Sequence, residues 1–177
     1  MKSRTRIALA VSVALLALVA GLLCLLDGRG DRAVAAAGPA AGPAEVPEGL
    51  RVLSWWDGQR AAAYASGDVA ALRALYVPGS STGRRDTEVL RAYADRGLVV
   101  RGLRMQVLAC DVTHSGPGRI RLVVTDRVRG AVVAGLAARD PRAIGLPSDR
   151  PSTRLVTFVR RSGRWVVAEV RTAVQRR

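Results

Sequence analysis

The chain has a single histidine, two cysteines and a single lysine in 177 residues, and each shortage removes a class of chemistry. Cysteines at positions 24 and 110 alone allow no disulfide framework and no cysteine-based metal pattern. Cys24 falls in an apolar run and Cys110 in an expected strand, so geometry disfavours their pairing. Cys110 is expected as a small buried hydrophobe. The only histidine, His114, falls at an expected turn, where an imidazole is more often solvated than catalytic. No nucleophile elbow, phosphate-cradling glycine loop or metal-ligand spacing is present, and no internal repeat. The glycines sit at turns and caps. No cofactor is expected.

The missing lysine is replaced by arginine. All 28 basic residues except Lys2 are Arg, against 14 acidic ones, for a net charge of +14. From Leu50 onward there are 23 arginines and 10 acidic residues, a net charge of +13. Such a balance favours anionic surroundings: lipid head groups, wall polymers, acidic proteins or nucleic acid. The arginines are scattered rather than clustered, which also fits a solvated surface rich in Arg and Ala as a matter of composition.

The segment 1–6 is a basic tail carrying Lys2, Arg4 and Arg6. The uncharged run Ile7–Leu26 follows, and its 20 residues would extend about 30 Å as a helix, enough to cross the hydrocarbon core. A secretory h-region is usually shorter. Small-residue spacing before Ala35 and Ala37 leaves a cleaved signal as the alternative. Leu22 and Leu23 before Cys24 do not suit a lipoprotein site. Charges before the run and their cancellation after it (Asp27, Arg29, Asp31, Arg32) orient the N-terminus inward. The expected location is the cytoplasmic membrane, single-pass, with the domain outside. Residues 27–49 are Ala, Gly and Pro-rich and read as a tether. The folded domain is expected over 50–174, with 175–177 a basic tail.

Three helices are expected: Leu50–Ser66, ended by Gly67; Val69–Tyr76, capped by Asp68; and roughly Arg84–Arg96, ended by Gly97. Trp55, Trp56, Tyr64 and Tyr93 are their large side chains. They suit a core facing a sheet, or a cavity lining with the Tyr hydroxyls as polar handles. Trp55 and Trp56 cannot both be buried on one face. Period-two alternation then runs through Leu98–Thr113 and Arg119–Val128, an antiparallel pair about the turn Ser115–Gly118. Leu103, Met105, Val107, Ala109 and Asp111 are expected on one face. Ile120, Leu122, Val124 and Asp126 share a face on the next strand, with Arg119, Arg121 and Arg127 opposite. Ala131–Ala138 fits strand or helical turn, and 139–150 fits a loop. A closing hairpin spans Thr153–Arg171, with Gly163 in its turn.

Asp111 and Asp126 are the carboxylates that alternation directs to the apolar face, where desolvation raises a carboxyl pKa. A hairpin pairing His114 with Arg119 would set Asp126 opposite Val107 and Asp111 opposite Leu122. The two would stand about 13 Å apart, too far to act as one pair. Asp126 could act with Tyr64 or Tyr93, or be a buried partner of an arginine.

The order of three helices and a sheet ending in a hairpin, with Arg161-Ser162-Gly163-Arg164-Trp165-Val166-Val167 and Val124-Thr125-Asp126-Arg127, resembles the nuclear transport factor 2-like superfamily. That superfamily includes ketosteroid isomerase and the SnoaL-type cyclases. The resemblance implies an α+β, cone-like fold, three N-terminal helices packed on a curved antiparallel sheet around a cavity, here preceded by one transmembrane helix. The whole arrangement is also similar to bacterial Mce-associated membrane proteins, which are accessory proteins. Two functions follow as expectations. One is an exported, membrane-anchored accessory module without catalytic activity, meeting a protein partner, a second copy or an anionic envelope surface through Arg119, Arg121 and Arg127. The other is a cavity binder or isomerase/cyclase-like enzyme lined by Trp56, Tyr64, Tyr93 and Asp126. Nucleic acid is disfavoured by export and by the lack of a stacking platform.

Overall fold

A computed structural model describes residues 46–136 and 143–173. The expected membrane run Ile7–Leu26, the tether up to residue 45 and Cys24 lie outside the described residues. Among those described, no helix is long and apolar enough to cross a membrane.

Helix α1 spans Glu48–Ser66 and buries Gly49, Val52, Leu53, Trp56, Ala63 and Tyr64, the 3–4 spacing of one helical face. It starts two residues earlier than the sequence suggested, since Gly49 packs into the core and is not part of the tether. Gly67 ends it at φ 72°, a left-handed conformation that glycine adopts without Cβ strain. The Asp68 carboxylate accepts from the Ala71 N–H at 2.9 Å and caps α2, Val69–Arg73. That helix stops short of Tyr76, which forms a parallel bridge with Val167. Helix α3 spans Ser81–Ala94. It begins earlier than expected because the Ser80 hydroxyl caps it, accepting from the Gly83 N–H at 3.2 Å.

The sheet is antiparallel with strand order β1-β2-β4-β5: β1 Leu98–Gly116, β2 Arg119–Gly135, β4 Ser152–Arg161 and β5 Arg164–Thr172. A short β3, Ile144–Leu146, pairs with β2 at Ala131–Val133. Ala131–Gly135 is thus strand, and part of the expected loop is strand too. The β4–β5 hairpin closes on Ser162 and Gly163, both with positive φ, as a tight two-residue turn requires.

Ile120, Leu122, Val124, Asp126, Val156, Phe158 and Val167 are buried on the sheet face that the helices cover. The alternation expected along β1 breaks at Leu108 and Thr113, where the register with β2 slips. A one-residue bulge reverses which side chains face inward. Val107 is opposite Asp126, as the sequence suggested, but beyond the bulge Cys110 pairs with Val124 and Asp111 with Val123. Asp111 and Ala109 therefore leave the inner face, and Asp111 is exposed. His114 is opposite Arg121 instead of Arg119.

Gly83 shows how tightly α3 is set. A Cβ there would lie 2.6 Å from Cβ and Cγ of Tyr76. Gly83→Ala should therefore destabilise the fold by roughly 1–3 kcal/mol through overpacking, despite the helical preference for Ala. A thermal melt with an unchanged or higher midpoint would refute this contact.

Candidate functional site

Two buried carboxylates sit under α1, and they are solved differently. Asp86, on α3, is 4% exposed and fully enclosed by donors. Arg60 donates twice, Nε to Oδ2 at 2.7 Å and Nη2 to Oδ1 at 2.6 Å. The Tyr64 hydroxyl donates to Oδ1 at 2.7 Å and the Tyr76 hydroxyl to Oδ2 at 2.6 Å. Burial alone would raise the Asp86 pKa, but the Arg60 charge and these hydrogen bonds outweigh it and hold the carboxyl below its ordinary value. Burial, with the Asp86 charge, raises both tyrosines well above the ordinary phenol value. No buried side-chain atom of the cluster is left without a partner, and the cluster joins α1, α3 and the Tyr76 segment as a structural knot.

Asp126 is different. It is 2% exposed, directed inward by the alternation of β2. Its Oδ2 accepts from Arg154 Nη2. Arg154 stands opposite Val124, a diagonal neighbour of Asp126 on the same face. Oδ1 of Asp126 and Nε of Arg154 are buried and have no hydrogen-bond partner among the described residues, and the same holds for Nε1 of Trp56. Burial raises the Asp126 pKa, opposed by the charge and hydrogen bond of Arg154, with Asp149 adding to the rise. Asp57, on α1 one turn before Arg60, is pushed up to about 6 by burial, with the charges of Arg60, Asp126 and Arg154 all acting on it. The Arg154 side chain is 32% exposed, so the pair has an outer cationic end and an inner acidic one. Asp149 is tied down beside it, its Oδ1 accepting from the Val128 N–H at 2.5 Å.

The side chains singled out by the sequence thus separate. Trp56 is buried, edge-on to Tyr76 at 5.7 Å and Phe158 at 6.2 Å, while Trp55 is 42% exposed. Tyr64 belongs to Asp86 and not to Asp126. Tyr93 is buried on α3, its pKa raised by desolvation, and no hydrogen bond joins it to Asp126 among the described residues. Arg119 and Arg121 are exposed on the outer face. Arg127 is half-buried there and donates to Gln106 Oε1 at 2.9 Å. No group of three or more His, Cys, Asp or Glu converges among the described residues in a way that could hold a metal. Sequence reasoning misses Asp57, Arg60, Asp86 and Arg154 as a polar core. The only sequence signal is the helical spacing that puts Asp57 and Arg60 on one stripe with Trp56 and Tyr64; Asp86 and Arg154 carry none.

No family model matches the chain, and no curated relative matches it. Among solved structures, the intermembrane space region of the chloroplast protein ARC6 is similar over 69% of this chain and 91% of that one, at 17% identity and a TM-score of 0.49. Aln2 from a Streptomyces species is similar over 71% and 90% at 18% identity and a TM-score of 0.45. An uncharacterised protein with a cystatin-like fold from Caulobacter vibrioides is similar over 70% and 87% at 13% identity and a TM-score of 0.42. At these scores the likenesses assign no activity, and the α+β fold stands on this chain's own pairing and packing.

Proposed function

We propose that this chain is a membrane-tethered, non-catalytic binding domain that holds a small polar molecule between α1 and the sheet, at Asp57, Asp126 and Arg154. The observation that carries the reading is the pair of unmatched atoms in one ion pair. Oδ1 of Asp126 can accept and Nε of Arg154 can donate, and both are buried without partners among the described residues. Leaving such atoms unmatched costs about 1–3 kcal/mol each. A ligand carrying a donor beside an acceptor, such as an amide, a hydroxy acid or an enol, would satisfy both. The resemblance to the nuclear transport factor 2-like superfamily supports the same place, since it implies a cavity between the first helix and the sheet.

The isomerase-like alternative asks for Asp126 with Tyr64 or Tyr93 around one ligand atom. Tyr64 donates its hydroxyl to Asp86 at 2.7 Å, which argues for binding over proton transfer. Ile7–Leu26 supplies the tether in this reading, and the outer face with Arg119 and Arg121 takes no part in holding the small molecule.

Native mass spectrometry of the full chain, purified in detergent from its own host, tests the site. The expected result is a retained mass of a few hundred daltons, the size that sites of this class hold, lost in Asp126→Leu. A ligand-free wild-type mass, or a mass that persists in that variant, would overturn the assignment.

A further inference from the structure

Two hairpin turns meet at one end of the sheet. The first sets Arg119 opposite Gly116 and the second sets Arg161 opposite Arg164. The turns are joined directly, the Arg160 N–H donating to the Gly118 carbonyl at 3.0 Å. Arg119, Arg121, Arg160, Arg161 and Arg164 gather there, all exposed. The stretches 112–122 and 155–168 that form this end contain no acidic residue. Glu169, on the neighbouring part of β5, is held by Arg171 at 2.6 Å. Glu48, in the first turn of α1, and the exposed Asp111, opposite Val123 and diagonal to Arg121, are the other acids near this end. The charge is therefore one-sided locally, although the arginines look scattered along the sequence. Trp165 adds an aromatic ring, with the Arg160 guanidinium 5.9 Å from its centroid.

The chain also enters the domain at this end. Gly49 lies against Leu122, Val112 and Ile120, close enough that a Cβ would come within 2.7 Å of Leu122 Cδ2. Leu122 and Ile120 flank Arg121. The other end of α1 lies away from the turns, with Gly67 near Val99. The start of α1 thus lies at the same end of the sheet as these arginines, against its inner face.

We propose that this arginine-rich end docks on the anionic phospholipid head groups of the membrane in which Ile7–Leu26 is anchored. The inference rests on the tether reading above and adds an orientation to it. A 21-residue tether, 27–47, would reach about 25 Å as a flexible chain, so the near end of the domain stays within range of the surface. Guanidinium groups pair with phosphate in bidentate fashion. Trp165, half-buried with one side packed on the core, adds a residue type that suits the interfacial region between head groups and water. Each arginine near an anionic surface contributes roughly a fivefold preference, and the two joined turns bring Arg119, Arg160, Arg161 and Arg164 to one end of the sheet. The Asp126–Arg154 site lies farther along β2 and β4 and would remain open to the aqueous side.

The test uses the full chain in lipid nanodiscs, one set of phosphatidylcholine and one containing phosphatidylglycerol. Amide exchange of 115–121 and 159–165 should slow at least about fivefold in the anionic discs, and the effect should fade at high salt. It should vanish in Arg160→Glu/Arg161→Glu/Arg164→Glu, whose positions are exposed. Arg104→Glu/Arg129→Glu, exposed at the other end of the same strand pair, should leave it unchanged. Equal exchange in both discs overturns the docking and leaves the face to a soluble acidic partner. An equal loss in the two variants overturns it as well, since net charge alone would then suffice. A chain that fails to float with neutral vesicles overturns the tether and the docking together, whereas floating without anionic protection removes the docking alone.

Discussion

Asp86→Ala should lower the stability of the domain by roughly 3–5 kcal/mol, the cost of breaking a buried pair from one side. The reason lies in what the substitution leaves behind. Arg60 would keep its charge with its side chain 21% exposed, and the hydroxyls of Tyr64 and Tyr76 would lose their acceptor. Tyr76→Phe removes one hydrogen bond to the carboxylate, and Tyr64→Phe removes one together with a longer bond to the Asp86 carbonyl at 3.3 Å; each should cost about 1.5–3 kcal/mol. Urea unfolding of the three variants separates these outcomes. A loss of less than about 1 kcal/mol for Asp86→Ala would mean that the knot contributes no more than a surface ion pair. The cluster also contributes to acid sensitivity. The Asp86 carboxyl titrates below the ordinary value of 3.8, so its contribution is present above that value and is lost as pH falls toward the lowered folded value.

The knot explains why the helical half was legible in outline but not in purpose. Apolar spacing exposes α1 and α3, because burying a stripe leaves a 3–4 repeat in the sequence. Asp86 and Arg60 are 26 residues apart and belong to no local pattern, so only the packing of α1 on α3 brings them together. Trp56 was recognisable as a buried ring by its place on the stripe. Its separation from Trp55 follows from the 100° turn between successive helical residues.

The sheet was legible wherever alternation was unbroken. β2 kept its period and delivered Asp126 inward and Arg119 and Arg121 outward, as its sequence implied. β1 did not, because the slips at Leu108 and Thr113 leave no local signature among Val107, Leu108, Ala109 and Val112. Asp111 was misplaced for that reason alone. Arg154 was missed for another: an arginine in a strand is ordinarily read as an outward residue, and only the carboxylate of Asp126 across the ladder accounts for its inward position. The arginine-rich end was hidden too, since its residues come from two hairpins more than 30 positions apart and meet only through the register of β2 with β4.

Asp57→Asn should stabilise the domain at pH 7, against the usual direction for a half-buried substitution. The Asp57 carboxyl is raised from 3.8 to about 6, so the folded state binds its proton more tightly than the unfolded state does. Stability is then greatest below about 4, falls as pH rises through about 6, and is level above that. A shift of this size corresponds to at most about 3 kcal/mol, and partial solvent access to Asp57 reduces it to roughly 1–2 kcal/mol. The asparagine variant should reduce the slope between those pH values, leaving the part that the likewise raised Asp126 contributes, seen in thermal midpoints measured from pH 4 to 8. A variant as pH-dependent as the wild type would rule out Asp57 as its source. The same variant separates the two reasons for having a costly carboxyl beside Asp126 and Arg154. If Asp57→Asn is more stable and still retains the small molecule, the charge is incidental to binding. If it is more stable and releases the molecule, the folded state tolerates an unfavourable carboxylate because the ligand satisfies it, as expected where perturbed groups gather at a working site.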